Sequence, residues 1–485
     1  MNNWDINERN LRRVYDYCIR RGIQIDASFH DDSINYINSC LLKIKHQKTI
    51  SKEQFDSFVA MISSCEVLSI SEQTKSEIDV FLELLEPKTQ EAQPLCLKPE
   101  VRKMKAILTH VKNDVLSGKF SQYCLKLNKR HHDWNLVSYH HIASGKDIYS
   151  IGNGFDYLVS RIIQESIKEK YDIRVGNRIS IIKQLKCLLD DRLPKAIVRT
   201  DIKSFFETIN AKLLISHMDN MGLVQKSQIN MLSGLIEQYN RISGCSLGVP
   251  RGVGISSYLA ELYMKEIDKE IKRQPNVIYY ARFVDDMVIV TSEKESGNDD
   301  NAKQVFDLLK NKLKEIGLEA HDSGEKFCIC PNSSLDFTYL GYRFVHSGGK
   351  LEIDISSEKQ EKIKTKIRFA FVSFYNNKSE YKSMPYKKKL HDLKERLECL
   401  TCAVHVRGMH KRVEIGTPVT YSEITRRKSL AELNRYYRNL LKKSANQDLS
   451  NLLSGINFVN GFYSNEIKDI SNRKYKSLSR IWVHL

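Results

Sequence analysis

Residues 279–290 carry the sequence Tyr279-Tyr280-Ala281-Arg282-Phe283-Val284-Asp285-Asp286-Met287-Val288-Ile289-Val290, in which an aspartate pair separates two apolar runs. The runs are rich in β-branched and aromatic residues, which suit buried strands, so they predict a β-hairpin with Asp285 and Asp286 at its tip. Two adjacent carboxylates beside an apolar sheet are costly to keep ionised unless a cation neutralises them. Mg²⁺ is a suitable cation, because hard cations are held by carboxylates together with substrate phosphates. The pair is also ordinary turn chemistry, since Asp tolerates the backbone of tight turns, so by itself it leaves both interpretations open.

A third acid, Asp201, favours the metal interpretation. It ends an apolar run in the segment Ala196-Ile197-Val198-Arg199-Thr200-Asp201-Ile202-Lys203-Ser204-Phe205-Phe206. A carboxylate at the end of a strand lies where active sites gather in α/β sheets. With Asp285 it could hold two Mg²⁺ ions about 4 Å apart, one lowering the pKa of an attacking hydroxyl and the other neutralising a leaving pyrophosphate. Acids on two strands that a helical segment joins predict a palm.

Five short motifs follow one another between Asp201 and Tyr342. They are Asp201 with an aromatic residue five positions later, Gly248-Val249-Pro250-Arg251-Gly252 before a predicted helix, Phe283-Val284-Asp285-Asp286, Glu325-Lys326, and Tyr339-Leu340-Gly341-Tyr342. Their order resembles the palm motifs of reverse transcriptases over residues 150–350, and an ordered set is more specific than any single motif. Within that group, residues 199–207 and the Phe-Val-Asp-Asp core are most similar to bacterial defence-associated and abortive-infection enzymes. Retron and group II intron enzymes are less similar.

The resemblance implies an α+β fold, a right-hand polymerase with fingers, palm and α-helical thumb. We expect an N-terminal helical extension at residues 1–95, fingers at 96–195, the palm at 196–350 and a basic helical thumb at 351–485. Helical spacing predicts N-terminal helices over residues 9–21, 32–44, 52–62 and 71–85, followed by a polar linker at 86–94. Further helices are predicted at 103–116, 155–167, 355–374, 386–400 and 429–443, together with one that follows Arg178 and ends at Leu189.

The resemblance also implies the catalytic residues and the metal ligands. The catalytic set is Asp201, Asp285, Asp286 and Lys326, with Lys326 as the acid that protonates the leaving pyrophosphate; a general acid of this kind contributes about 10²-fold to 10⁴-fold. The metal site would comprise Asp201, Ile202, Asp285 and Asp286. It would hold two Mg²⁺ ions, with Mn²⁺ as an alternative.

Substrate contacts are expected from two groups of residues. Phe206 would lie beneath the sugar of the incoming nucleotide and exclude a 2′-hydroxyl, which predicts a DNA product, and Arg251 and Gly252 would lie beside the nucleotide. Most reverse transcriptases have Gln at the position of Arg251, so this chain departs from the pattern there. In the fingers, the cations expected to meet the triphosphate are Arg178, Lys195 and Arg199.

The charge is distributed unevenly along the chain. The formal net charge is +17 with a pI near 9.2, which indicates a polyanionic partner. Residues 1–95 carry 11 basic and 15 acidic side chains, net −4, whereas residues 351–485 carry 27 and 14, net +13. We therefore expect the thumb to contact nucleic acid through phosphates, and the N-terminal extension to pack on the polymerase or on another protein.

The eleven cysteines suggest free thiols in a reducing cytoplasm. There is no secretion signal and no apolar run long enough to span a membrane, so no membrane association is expected. Cys399, Cys402, His405 and His410 have a spacing typical of zinc sites. However, the two cysteines fall on one face of a predicted helix with Leu397 and Leu400, which favours buried thiols.

The function that the resemblance implies is RNA-directed, or untemplated, DNA synthesis in antiviral (antiphage) defence. The partners would be an RNA template, for example a dedicated non-coding RNA, the DNA product, deoxynucleoside triphosphates, and a partner protein or further copies of the chain. Two alternatives stay open. One is a retron- or intron-like reverse transcriptase outside defence, and the other is a non-catalytic RNA-binding scaffold, against which the three acids argue.

Overall fold

A computed structural model of the chain describes residues 4–20, 32–44, 70–85, 98–127, 132–141, 145–191, 193–294, 300–347, 349–375, 385–407, 412–444, 446–464 and 466–482, together with the single residues 23, 25 and 29. The elements before the central sheet are, in chain order, the helices α1 (Glu8–Arg20), α2 (Asp32–Ile44), α3 (Glu72–Leu85) and α4 (Lys98–Leu127), the strands β1 (Leu136–His141) and β2 (Lys146–Ile151), and the helices α5 (Gly154–Lys170) and α6 (Arg178–Leu189).

The central part of the chain alternates strands and helices. Its elements are β3 (Lys195–Asp201), α7 (Phe205–Thr208), α8 (Ala211–Met221), α9 (Lys226–Ser243), α10 (Gly254–Lys272), β4 (Val277–Phe283), β5 (Asp286–Ser292), α11 (Asp300–Glu315), β6 (Cys328–Pro331), β7 (Asp336–Tyr339), β8 (Tyr342–Ser347) and β9 (Lys350–Ile355), with 3₁₀ turns at Gly324–Lys326 and Asn332–Ser334.

The C-terminal part is mostly helical. Its elements are α12 (Ser357–Tyr375), α13 (Tyr386–Thr401), β10 (Val404–Arg407), β11 (Arg412–Ile415), α14 (Thr417–Thr420), α15 (Lys428–Lys443), α16 (Gln447–Leu453), α17 (Phe458–Tyr463), β12 (Lys468–Ser471) and α18 (Asn472–Ser479), with a last 3₁₀ turn at Arg480–Trp482.

The central sheet has four antiparallel strands in the order β4-β5-β3-β6. Side chains along β3 and β5 alternate between two hydrophobic cores, as the period of a strand requires. Val198 and Ile289 belong to the core formed with α10, α11 and the N-terminal helices. Ile197 and Val288 belong to the core formed with α6, the sheet β7-β8-β9 and the C-terminal helices. Burial of both faces explains why these strands are continuous apolar runs, and each fully buried side chain contributes about 1.5–3 kcal/mol.

Asparagine caps set the starts of α5 and α6, the two helices that precede the central sheet in the chain. The Asn153 side-chain oxygen accepts a hydrogen bond from the Phe155 amide at 2.8 Å at the start of α5. The Asn177 oxygen accepts from the Ile179 amide, at 3.0 Å, and from the next amide at the start of α6. Each cap satisfies amides that the first helical turn leaves unbonded, and such a cap contributes about 1 kcal/mol.

The predicted helices agree with the structure to within two or three residues for most elements. The largest difference is α4, which extends the helix predicted at 103–116 to Lys98–Leu127. The helix predicted at 355–374 begins at Ser357, because Ile355 still pairs with Tyr342 in the sheet. The helix predicted at 52–62 and the linker at 86–94 lie outside the described residues. Within the described ranges, no helix is both long and apolar enough to cross a membrane.

The C-terminal part contains a small sheet that the sequence did not predict. Strands β11, β10 and β12 form it in that order, with β10 antiparallel to β11 and parallel to β12. The alternating residues Val404 and Val406 are buried on one side of β10. Residues 351–485, which were expected to form a basic helical thumb, therefore contain strands as well as helices. The strands were not predicted, because four residues give too short an alternation to stand out.

Candidate active site

The three acids meet at one end of the central sheet. Asp201, the last residue of β3, lies directly opposite Asp286, the first residue of β5. Asp285 occupies the two-residue turn between β4 and β5. The Ile202 amide donates a hydrogen bond to the Asp285 carbonyl oxygen at 3.2 Å, which ties the turn to the end of β3. The cross-strand register thus brings together residues more than eighty positions apart in the chain.

The turn that carries the acids has an unusual backbone. Val284 has a φ of 62°, a region that β-branched residues rarely adopt. Such a conformation costs about 1–3 kcal/mol and persists only when surrounding contacts hold it. One contact is a hydrogen bond of 2.7 Å from the Arg282 guanidinium to the Val284 carbonyl oxygen. The turn is therefore held by the side chain that begins two residues before it.

Arg282 is itself fixed by two carboxylates of α10. Its guanidinium donates to Asp268 at 2.7 and 3.0 Å and to Glu261 at 2.7 Å, and its side chain is only 3% exposed. The Tyr280 hydroxyl also donates to Asp268, at 2.6 Å. Burial raises the pKa of Glu261, although the adjacent Arg282 charge opposes this. This network was not predicted, because its acids lie on the preceding helix, 14 and 21 positions before Arg282.

The electrostatics of the site disfavour three ionised carboxylates without a cation. The pKa of Asp286 is raised to about 6, chiefly by burial and further by the charges of Asp285 and Asp201, while the Arg199 guanidinium at 3.3 Å opposes the increase. Burial also raises the pKa of Asp285. Arg199 lies two residues before Asp201 on the same face of β3. It contacts the Asp286 carboxylate, and its expected contact with the triphosphate stays a prediction.

The environment of Asp201 fits a bound cation. The Lys326 ammonium lies 2.5 Å from its Oδ2 atom, and the His321 ring nitrogen lies 3.3 Å from Oδ1. Oδ1 is buried and accepts no hydrogen bond from the residues that the structure describes. Buried carboxylate oxygens normally have a partner, and hard cations favour such oxygen donors. Three carboxylates at one sheet end therefore match the donor chemistry of Mg²⁺.

The same carboxylates do not form a closed metal cage as they stand. Among the described residues, no group of three or more His, Cys, Asp or Glu side chains is arranged to hold an ion. Lys326 already neutralises Asp201, and its side chain is 56% exposed, so the ammonium has room to move away. A metal ion would have to replace this ammonium on Asp201. Ile202 is the other residue expected in the metal site. Its amide donates a hydrogen bond to the Asp285 carbonyl oxygen, and its backbone pairs with Ala320 in an antiparallel bridge.

Phe206 and Arg251 lie together beside the acids. Phe206 belongs to the single turn α7, and the Arg251 guanidinium lies 4.9 Å above the centre of its ring. Glu207 accepts two hydrogen bonds from Arg251, at 3.0 and 3.1 Å, and so holds the guanidinium in place. Arg251 also lowers the pKa of Asp285.

Gly252 has a structural explanation. Its φ is 99°, and a Cβ atom there would lie 2.6 Å from the Ile148 side chain and 2.7 Å from the Tyr149 carbonyl oxygen. The Tyr149 amide donates to the Arg251 carbonyl oxygen at 2.7 Å, so the hairpin β1-β2 packs directly on this turn. The expected reason for Gly252 was close approach to a nucleotide. The structure instead gives close approach to β2.

Two residues expected at the triphosphate are engaged elsewhere. Lys195 begins β3, six residues and so about 20 Å from Asp201, and its ammonium contacts Asp191 at 2.5 Å. The prediction for Lys195 is therefore wrong, because a cation at the start of the strand lies at the opposite end of the sheet. Arg178 donates to the Leu340 carbonyl oxygen at 2.7 and 2.9 Å and to the Thr420 carbonyl oxygen at 2.9 Å. These bonds give Arg178 a structural role, and its contact with a triphosphate stays a prediction.

The last palm motif lies against the acids. The Tyr339 hydroxyl donates to the Asp286 carbonyl oxygen at 3.2 Å. The turn between β7 and β8 consists of Leu340 and Gly341, both with positive φ, which matches the twist of a tight hairpin. This hairpin therefore supports the start of β5 through the Tyr339 hydroxyl.

The C-terminal residues whose spacing is typical of zinc sites make separate contacts. Cys399 is 5% exposed, and burial raises its pKa to about 12, which disfavours the thiolate that zinc requires. The His405 ring contacts Asp469 at 2.5 Å, and His410 lies outside the described residues. The buried-thiol interpretation thus agrees with the contacts of Cys399.

The comparisons with known proteins agree with this geometry. Residues 150–344 match the family model described as reverse transcriptase (RNA-dependent DNA polymerase). A curated relative, the Retron Ec73 reverse transcriptase of Escherichia coli, is 24% identical over 188 residues, which are 37% of this chain and 55% of the relative. The chain thus matches about half the length of that relative.

Solved telomerase structures align over most of the chain but at low similarity. Telomerase from Candida albicans in complex with a fragment of telomeric RNA gives a TM-score of 0.34 at 11% identity, covering 92% of each chain. The Candida tropicalis complex gives 0.35 at 10% identity, covering 98% of this chain and 93% of the other. Values this low carry no argument about function. The family match and the palm geometry together identify residues 150–344 as a reverse transcriptase domain of the right-hand polymerase fold, related to that of bacterial retrons.

Proposed function

We propose that this protein is an RNA-directed DNA polymerase that adds deoxynucleotides to a primer end at Asp201, Asp285 and Asp286. The observation that carries the proposal is the juxtaposition of the three carboxylates, with a buried Asp201 oxygen that lacks a hydrogen bond among the described residues. Two Mg²⁺ ions, or Mn²⁺, would lower the pKa of the attacking hydroxyl and neutralise the leaving pyrophosphate.

The chain's own residues would divide the remaining work. Arg199 holds the Asp286 carboxylate, and the network around Arg282 holds the strained turn. Phe206 presents a ring next to the acids, where it would exclude a 2′-hydroxyl and select deoxynucleotides. Lys326, already at the carboxylates and half exposed, would donate a proton to the pyrophosphate as it leaves.

The biological setting that we propose is antiphage defence in the cytoplasm, with an RNA as template. Support for the setting comes from the similarity of residues 199–207 and the Phe-Val-Asp-Asp core to defence-associated enzymes. A second candidate is retron-like synthesis on a dedicated RNA, which the retron relative favours. Sequencing the DNA made by the purified protein on its co-purified RNA separates the two, because a single defined template would favour the retron-like activity.

The activity is tested by labelled nucleotide incorporation. Purified protein would be incubated with Mg²⁺, each labelled deoxynucleotide, and an RNA template with a DNA primer, before and after nuclease treatment. We expect Asp285→Asn to reduce incorporation by at least about 10³-fold, since it removes charge that the transition state needs. Asp307→Asn, an exposed acid on α11, is the matched control and should retain activity. Incorporation by Asp285→Asn at the parental rate would refute the site, whereas no incorporation by the parent protein would favour the scaffold alternative.

A further inference from the structure

A concave cleft of about 760 Å³ lies between the N-terminal helix α1 and helix α5 of the reverse transcriptase domain. We call it the α1–α5 cleft. Its floor is apolar and contains the buried residues Val14 and Ile173. Clefts of 300–1,000 Å³ with an apolar floor and a few convergent polar groups are typical of small-ligand sites. The described residues that line it include none of the three palm acids, so the site described above does not account for it.

The rim of the α1–α5 cleft is basic. Arg13 and Arg20 extend from α1, and Arg161, Lys168 and Arg174 extend from α5 and the segment after it. Three carboxylates also line the cleft, so the five cations exceed the acids. This was not expected, because residues 1–95 are net acidic as a whole. Helix α1 is the exception, with four arginines and only two acids.

Several of these cations are incompletely neutralised. Arg13 and Arg20 are exposed and form no ion pair with a described residue. Lys168 reaches Glu165 only at 3.8 Å, and the Arg174 ion pair with Asp172 is fully open to solvent. The Nε atom of Arg161 is buried and has no hydrogen-bond partner among the described residues, although the same guanidinium donates to Gln164 at 3.0 Å and lies 3.6 Å from Glu165. Positive charge is therefore free to bind an anion, since exposed ion pairs of this kind are weak.

Aromatic rings lie between the cations. The Arg13 guanidinium lies 4.5 Å above the Trp4 ring, and Arg161 lies 5.9 Å from the centre of the Tyr17 ring. The Trp4 ring is fixed from the opposite wall by a hydrogen bond of 2.7 Å from its Nε1 atom to Glu169. Aromatic rings beside guanidinium groups provide stacking surfaces for bases, whereas the cations contact phosphates. The combination fits a nucleotide better than it fits a simple inorganic anion.

We propose that the α1–α5 cleft binds a nucleotide unit, with its phosphates on the arginines and its base beside Trp4. The unit belongs either to a single-stranded RNA or to a free nucleoside triphosphate. In both cases the N-terminal helix and the reverse transcriptase domain share one ligand. The proposal does not depend on catalysis at the palm acids, because binding is measured without metal or primer.

The test uses the full chain in EDTA, with two probes measured separately. The probes are an end-labelled unstructured RNA of about 15 nucleotides and a fluorescent GTP analogue. The variant Arg13→Glu with Arg20→Glu reverses two exposed charges on α1. Lys303→Glu with Lys314→Glu, two exposed lysines on α11, makes the same charge change away from the cleft. Circular dichroism confirms that each variant folds.

We expect the α1 variant to weaken one probe by about tenfold or more at low salt, while the α11 variant changes it by less than about twofold. Weaker RNA binding alone identifies an RNA segment as the ligand, and weaker binding of the GTP analogue identifies a free nucleotide. For RNA, the slope of log affinity against log salt should fall by about 1.4, because each lost phosphate contact accounts for about 0.7. If the α1 variant does not fold, Lys168→Glu with Arg174→Glu tests the opposite wall in the same way.

A second readout uses tryptophan fluorescence. A base that stacks on Trp4 quenches its emission, so the ligand should quench the parent, and Trp4→Phe should lose that part of the quenching. Three results would overturn the proposal. These are equal weakening in the α1 and α11 variants, quenching that persists unchanged in Trp4→Phe, and displacement of the RNA by a poly-glutamate peptide of equal charge. The last result would instead indicate an acidic protein as the partner.

Discussion

At the scale of single residues, the aspartate pair combines two opposite requirements. The catalysis that we propose needs Asp285 and Asp286 ionised, yet burial raises the pKa of both. The ionised forms of both carboxylates are therefore unfavourable in the metal-free protein, and they lower its stability. The consequence can be measured without an activity assay.

The first prediction is that Asp286→Asn stabilises the metal-free protein. Because the pKa of Asp286 is raised to about 6, the folded state keeps a proton that the unfolded state has lost between about pH 4 and 6. Stability from this group is thus present at low pH and is lost as the pH rises through that range. At pH 7.5 the variant should be more stable by about 1–2 kcal/mol, after allowance for partial exposure.

Urea unfolding at several pH values in EDTA measures this difference. The gain should vanish below about pH 4, where the carboxyl is protonated in both states. Added Mg²⁺ should stabilise the parent more than the variant. A variant that is less stable than the parent at pH 7.5 would mean that the Asp286 charge is already compensated by Arg199.

The second prediction concerns Glu207 and Arg251. In Glu207→Gln the Arg251 guanidinium loses its bidentate partner and is free to approach Asp285 or the nucleotide. We expect KM for deoxynucleotides to change by about threefold to tenfold with kcat changed less, since the pair positions a contact and does not react.

Steady-state kinetics of the single and double variants form the control. Arg251→Gln introduces the residue that most reverse transcriptases have, so it should suppress much of the effect of Glu207→Gln. Additive effects of the two substitutions would show that the pair has no coupled role.

The residue scale also shows what the sequence could predict. Asp201, Asp285 and Asp286 were identified because each belongs to a short motif at a strand end. Glu207 was not, because its role depends on Arg251, which lies 44 positions away and contacts it only through the fold. Lys195 was misassigned for the opposite reason. It lies close to Asp201 in the sequence, yet a strand carries it about 20 Å away.

At the scale of elements, the β4–β5 hairpin depends on a buried ionic network. Its formation was predictable from two apolar runs around an acid pair. Its support was not, because Glu261 and Asp268 look like the solvent-exposed face of an amphipathic helix. In the structure they turn toward Arg282, whose guanidinium reaches the strained Val284.

The third prediction is that Arg282→Met destabilises the protein by about 3–5 kcal/mol, because it leaves two carboxylates buried without a cation. Unfolding in urea should show the loss at pH 7, and the loss should diminish toward pH 4 as the Glu261 carboxyl, whose pKa burial raises, becomes protonated. The matched control is Arg343→Met, which breaks the exposed ion pair with Asp336 and should cost at most about 1 kcal/mol. Equal losses in the two variants would contradict a supporting role for the network.

At the scale of the whole molecule, the apolar pattern predicted most helices and the central sheet, but not how the parts contact each other. Long-range contacts depend on side chains whose partners are hundreds of residues away. Arg178 is an example, since its partners Leu340 and Thr420 lie 162 and 242 positions along the chain. The charge count likewise predicted a net acidic N-terminal segment. It did not predict that Arg13 and Arg20 of α1 line one cleft.

The fourth prediction separates two roles of Arg178. Its guanidinium joins α6 to the β7–β8 turn and to the C-terminal part, and it lies 5.1 and 5.3 Å from the ring centres of Tyr342 and Tyr421. If this contact is its main role, Arg178→Met should lower the free energy of unfolding by about 1.5–3 kcal/mol, since hydrogen bonds from a charged group are lost. KM for deoxynucleotides should then stay within about twofold of the parent, because no substrate contact is lost.

If Arg178 instead meets the triphosphate, KM should rise by about tenfold or more with little change in stability. Measuring both quantities on the same variant, with Arg343→Met as an exposed control, decides between a residue that holds the domain together and a residue that binds substrate.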